Sequence, residues 1–153
     1  MRESAAGVDL DTSLGYLLKE AASALRSEME AVLRPLELNI TQYACLELLA
    51  NRPGMSNSDL ARGAFVTRQS MNIVLHGLER DGLIARRAET SVGRSVPIEL
   101  TRRGKEHLAR ASAAVKHVED AMCAGLGDDE PEQLRRLLRS LVESLGQVRT
   151  LDA

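Results

Sequence analysis

Apolar residues recur at three- and four-residue spacing along most of this chain and break that rhythm once. From Leu10 the series Leu14, Leu17, Leu18, Ala21, Leu25, Val32 and Leu33 traces one face of a first helix, because 3.6 residues per turn bring side chains back to the same side. Pro35 ends it, and residues 36–40 read as a connector. A second helix follows, capped by Thr41 and facing Tyr43, Cys45, Leu46 and Leu49 inward. Asn51, Arg52, Pro53 and Gly54 stop it. Ser56 with Asp59 three positions on is a short capping box. It opens a brief third helix through Leu60, Ala61 and Ala64. Phe65 and Val66 make a turn, and Thr67 caps a fourth helix with Met71, Val74, Leu75 and Leu78 on its core face. Gly82 supplies the left-handed residue that ends it.

The break comes next. Residues 83–87 form a short hydrophobic strand, 88–95 a polar loop with Gly93, and 96–100 a returning strand. Pro97 marks that strand as an edge, since proline cannot donate to a ladder. Thr101 caps a fifth helix lined by Leu108, Ala111, Val115, Val118 and Met122. After Gly125 and Gly127, Asp128 or Asp129 caps a sixth, with Pro131 in its first turn. Its stripe is Leu134, Leu137, Leu138, Leu141, Val142, Leu145 and Val148. The fold class is mainly α with a small β-hairpin. A polar-edged helix followed by a two-stranded hairpin is the winged helix-turn-helix arrangement that meets DNA.

The first, fifth and sixth helices carry apolar stripes wider than the small middle region could cover. Left open, they would form a large exposed patch. Either an intramolecular bundle or a two-fold dimer can bury them, and the dimer is the more economical. The chain therefore reads as a single domain over 1–153. Residues 36–100 form the DNA-binding lobe, and 10–35 and 101–151 are the dimerisation helices.

Aromatic content is only 2%, which argues against a base-stacking platform for single strands. Two cysteines, Cys45 and Cys123, are too few for a disulfide framework. No apolar run approaches membrane length and no leader opens the chain, so a soluble cytoplasmic protein without membrane partners is expected. Net charge is −2, unevenly spread. Residues 62–105 hold nine basic and four acidic side chains, so this segment is +5 and the remainder −7. Such a segment is either a phosphate-facing surface or an ordinary solvated face.

The segments TQYACLELLA, SNSDLARGAFVTRQSMNIVLHGLERDGLIAR, GRSVPIELTRRGKE and DDEPEQLRRLLRSLVESL, in this order and spacing, resemble the MarR-type transcriptional regulators. The resemblance runs from about Leu10 to Leu151. It implies a homodimeric winged helix-turn-helix protein that binds a pseudo-palindromic double-stranded operator and usually represses. It also implies release by a small aromatic or phenolic effector, or in other members a response to cysteine oxidation. Two positions depart from the pattern. Val92 stands where many members carry an acid two residues before the wing arginine, Arg94. Phe65 stands where glycine is frequent in the turn before the recognition helix.

On the fourth helix Arg68, Gln69, Asn72, His76 and Glu79 point away from the core face. Arg68 can give two hydrogen bonds to a guanine edge, and Gln69 or Asn72 can pair with adenine. Thr67 and Ser70 can donate to phosphates, alongside the backbone amides at the helix start. Arg94 is the candidate for minor-groove insertion. Strand alternation sends Arg86 and Arg87 to opposite faces, so at most one faces DNA. Arg52, Arg62, Arg102 and Arg103 are phosphate contacts or structural ion pairs. The family's usual ligand position points to Met29, Leu33, Tyr43 and the start of the fifth helix, although apolar residues at this spacing are more often core. Cys45 sits on an apolar helix face, where a thiol behaves as a small hydrophobe. Cys123 is the better candidate for a redox role. His76, His107 and His117 form no metal-ligand cluster, and no cofactor is expected. No catalytic constellation is evident, so an enzyme is not expected. A sequence-indifferent DNA-binding protein and a thiol-based redox regulator remain as alternatives.

Overall fold

The computed structural model describes residues 7–86 and 97–151. Its elements run α1 (Leu14–Leu33), a 3-10 turn (Arg34–Leu36), α2 (Ile40–Asn51), α3 (Asn57–Gly63), α4 (Arg68–Arg80), β1 (Ile84–Arg86), β2 (Ile98–Leu100), α5 (Arg102–Met122) and α6 (Glu130–Leu151). They divide into a larger unit ending at Val118 and a smaller one beginning at Glu119.

Capping sets most boundaries in the larger unit. Helix α1 begins after Ser13, whose hydroxyl accepts from the Tyr16 amide, so Leu10 lies outside the helix. Pro35 sits inside the 3-10 turn, which closes at Glu37 in the left-handed region (φ 56°). Helix α2 starts earlier than expected. Asn39 and not Thr41 is its cap, because Asn39 and Gln42 form a full capping box. That box satisfies two helix-end amides at once. Ser56 and Asp59 form the expected reciprocal box at α3. The Ser56 amide holds the Asp59 carboxyl below the usual carboxylate range, with further help from the Ser56 hydroxyl. Helix α4 is capped by Thr67 as expected, and Gly82 follows its end at φ 76°.

The core gathers one or more buried residues from every helix and strand of this unit, and Leu36 of the 3-10 turn packs against it. Leu33, Leu46, Leu60, Met71, Leu75 and Leu78 are fully buried, joined by Ile84 and Ile98 of the hairpin and by Leu108, Ala111 and Val115 of α5. Strands β1 and β2 pair antiparallel with Ile84 opposite Leu100 and Arg86 opposite Ile98. Strand β1 begins at Ile84, one residue later than expected, and β2 at Ile98. Pro97 precedes β2 instead of lying within it, so its missing N–H falls outside the described ladder.

The root of the hairpin is tied to the start of α5. The Thr101 hydroxyl donates to the Gly82 carbonyl at 2.6 Å and accepts from the Gly104 amide at 3.0 Å. The Thr101 amide donates to the Leu83 carbonyl. Gly104 lies so close to Leu83 that a Cβ there would sit 2.0 Å from the Leu83 oxygen. His107 adds a clasp, with Nε2 at 2.7 Å from the Leu36 carbonyl and Nδ1 at 3.0 Å from an Arg110 nitrogen. Arginine only donates, so Nδ1 accepts and Nε2 carries the proton.

In the smaller unit, α6 starts at Glu130, whose carboxylate accepts from the Gly127 amide at 2.6 Å. Its leucine stripe is exposed throughout. Leu14, Leu17 and Leu18 of α1 are likewise exposed.

Candidate nucleic-acid interface

Helix α4 is anchored from behind and open in front. Met71, Leu75 and Leu78 have no exposed surface, whereas Arg68, Gln69, Ser70, Asn72, Ile73, His76, Glu79 and Arg80 are all exposed. The helix therefore offers its polar side at a position set by packing against α2, α3 and β1. The turn that aims it is unusual. Phe65 occupies the left-handed region (φ 59°) and is 94% exposed. Its amide bonds to the Arg62 carbonyl and the Val66 amide to Ala61, which closes α3 immediately before the Thr67 cap.

The proposed reading residues differ in how free they are. Arg68 is exposed on the first turn with no acidic partner among the described residues. Gln69 and His76 are exposed on the side opposite the core. Asn72 is engaged, since its side-chain oxygen accepts from the Asn57 amide group of α3. The Thr67 hydroxyl accepts from the Ser70 amide at 3.0 Å and donates to the Ser70 hydroxyl at 2.9 Å. Its single proton is thus committed, and of the two hydroxyls only Ser70 keeps one to give to a phosphate. Glu79 pairs with Arg86 at 3.1 Å, so Arg86 braces α4 against β1. Arg62 pairs with Asp59, and Arg102 with Glu106, as ion pairs within their own helices. Arg94, Val92 and Arg87 lie outside the described residues.

A family model described as the MarR family matches residues 38–96. The HTH-type transcriptional repressor Rv2887 of Mycobacterium tuberculosis is 42% identical over 135 residues, which is 88% of this chain and 97% of the relative. The chain belongs to the MarR family. Rv2887 in complex with salicylic acid matches this MarR-family chain with a TM-score of 0.72 at 42% identity, covering 86% of the chain and 97% of the solved one. Its complex with DNA matches with a TM-score of 0.71 at 37% identity, covering 86% and 98%. The fold is the winged helix-turn-helix of that family, with α3 and α4 as the helix-turn-helix and β1–β2 as the root of the wing.

In this MarR-family chain the expected pocket residues sit in or against the core: Leu33 is fully buried in it, and Met29 and Tyr43 pack against it. A cleft of about 650 Å³ opens between the end of α2, strand β2 and the first half of α5. Leu49, Leu100 and Leu108 give it an apolar lining, with Lys105, Glu99 and Ser112 as its polar groups. Tyr43 is linked to it indirectly. The Tyr43 hydroxyl and the Ser112 hydroxyl both donate to Oε1 of Glu47, and Asn51 donates to the other oxygen. Sequence spacing could not reveal the cleft, because it is made by three elements distant in the chain.

Cys45 is fully buried, and burial pushes its thiol up to about 12. It stays a thiol and offers no nucleophile near neutral pH. Cys123 is half-buried, after the last turn of α5. No described helix is long and apolar enough to cross a membrane.

Proposed function

We propose that this protein is a homodimeric, sequence-specific double-stranded DNA-binding repressor whose release from DNA is triggered by a small aromatic acid. The observation that carries the reading is α4, a helix locked at its back by three fully buried side chains and open at its front with Arg68 and Gln69 unobstructed. The 42% identity to a repressor supports it. Arg68 and Gln69 read base edges in the major groove, Ser70 and the first amides of α4 hold phosphates, and Arg94 probes the minor groove. A second copy covers the apolar faces of α1 and α6, which pairs the reading helices and calls for a pseudo-palindromic site. This division makes residues 36–100 the DNA-binding lobe, and 10–35 and 101–151 the dimerisation helices.

The cleft beside β2 is the proposed effector site. Its volume suits a small molecule, its floor accepts an aromatic ring, and Lys105 attracts a carboxylate. A related protein is solved with salicylic acid. A ligand there presses on β2 and hence on the wing. The protein acts in the cytoplasm and catalyses no reaction.

The test is a binding titration on an operator selected from random duplexes, against random DNA as competitor. Arg68→Ala is expected to lose about 1–3 kcal/mol on the operator with little change on random DNA. Salicylate is expected to weaken operator binding by the native chain and to weaken it much less for Lys105→Ala. Equal affinity for operator and random DNA would overturn the assignment.

A further inference from the structure

Ile73 lies at the centre of the most exposed face of α4. Successive residues turn by one part in 3.6 around a helix, so Gln69, Ile73, His76 and Arg80 share the side directly opposite Met71, Leu75 and Leu78. Ile73 is 70% exposed, while the other large apolar residues of α4 are buried or half-buried. An isolated exposed isoleucine elsewhere would carry no meaning. Here its position decides, because this is the face that enters the groove if α4 reads DNA.

A branched alkyl group in the major groove displaces water from base edges and returns no hydrogen bond. The one apolar feature those edges present is the 5-methyl group of thymine. We infer that Ile73 is a specificity-determining residue that selects thymine by contact with that methyl group. The inference rests on the DNA-binding reading above. It also predicts spacing. Ile73 stands one turn after Gln69, about 6 Å along the axis, which corresponds to roughly two base steps. The chosen thymine therefore lies within about two base pairs of the base that Gln69 contacts.

The test begins with selection of a preferred operator from randomised duplexes by the native chain. Each thymine is then replaced in turn by deoxyuridine, which removes only the methyl group. The expected result is one thymine per half-site whose replacement weakens native binding roughly three- to tenfold. Ile73→Ala is expected to bind the thymine operator more weakly by a similar factor and to be indifferent to deoxyuridine at that position. Ile73→Val keeps part of the discrimination. The side chain is exposed, so an unchanged thermal midpoint confirms that the variants fold. Three results overturn the inference: a selected half-site without thymine, native binding indifferent to every replacement, or an Ile73→Ala variant that keeps the full deoxyuridine penalty. Selection that yields no consensus at all overturns the DNA reading, and the inference falls with it.

Discussion

Helix α4 hides Met71, Leu75 and Leu78 completely within its own chain, whereas α6, with 22 residues against 13, leaves Leu134 through Val148 in solvent. Both carry apolar residues at three- and four-residue spacing. Periodicity states that a face must be covered and says nothing about what covers it. For α4 the cover is α2, α3 and the hairpin, which turns the opposite side into a rigid presentation surface. For α6 no described residue buries the stripe, and the free energy of covering it is left for association.

Charge on the α6 stripe tests that contrast most severely. Leu141→Asp with Leu145→Asp is expected to give a monomer by light scattering and to weaken operator binding about 100-fold or more, since paired half-sites are no longer engaged together. If the variant remains dimeric, the contrast between the helices loses its meaning. Leu75→Ala attacks the covered side, and an unfolding titration should show a loss of about 2–5 kcal/mol. Gly104→Ala forces a methyl onto the Leu83 carbonyl, with an expected cost of about 1–3 kcal/mol in the same titration. Phe65→Gly sharpens the comparison from the other direction. It relieves a left-handed backbone and should raise stability by about 1 kcal/mol.

The smallest effect is a pH slope. Cys45 binds its proton more tightly folded than unfolded, its pKa rising from 9.0 to about 12. Above pH 9 the unfolded chain loses that proton first, so stability should fall as pH rises from 9 towards 12. Cys45→Ala should flatten that part of the curve. A thiol reagent should modify Cys45 only on unfolding.

Much of this was legible in the chain. The Ser56 and Thr67 caps, the core face of α4, the hairpin and the open stripes of α1 and α6 follow from local spacing and capping chemistry, whereas the α5 stripe, expected to be open as well, buries Leu108, Ala111 and Val115 in the core of its own chain. The family resemblance added the pseudo-palindromic operator and the small effector. What escaped depends on partners distant in sequence. Asn57 engages Asn72, Glu79 holds Arg86, and His107 clasps Leu36, although each pair is separated by several to many residues. Asn39 caps α2 in place of Thr41, and its signal, an asparagine with Gln42 three positions later, is local. Ile73 was also readable, since the helical wheel that places Met71 and Leu75 inward places it outward. The cleft beside β2 was not, because it exists only where α2, β2 and α5 converge.

The seating of Gly104 on Leu83, with the Thr101 hydroxyl on Gly82, has a mechanical consequence. The end of α4, the root of β1 and the first turn of α5 meet at Gly82, Leu83 and Gly104 with no room for a methyl group between them. The first turn of α5 therefore cannot tilt towards Leu83 without pressing on the root of β1.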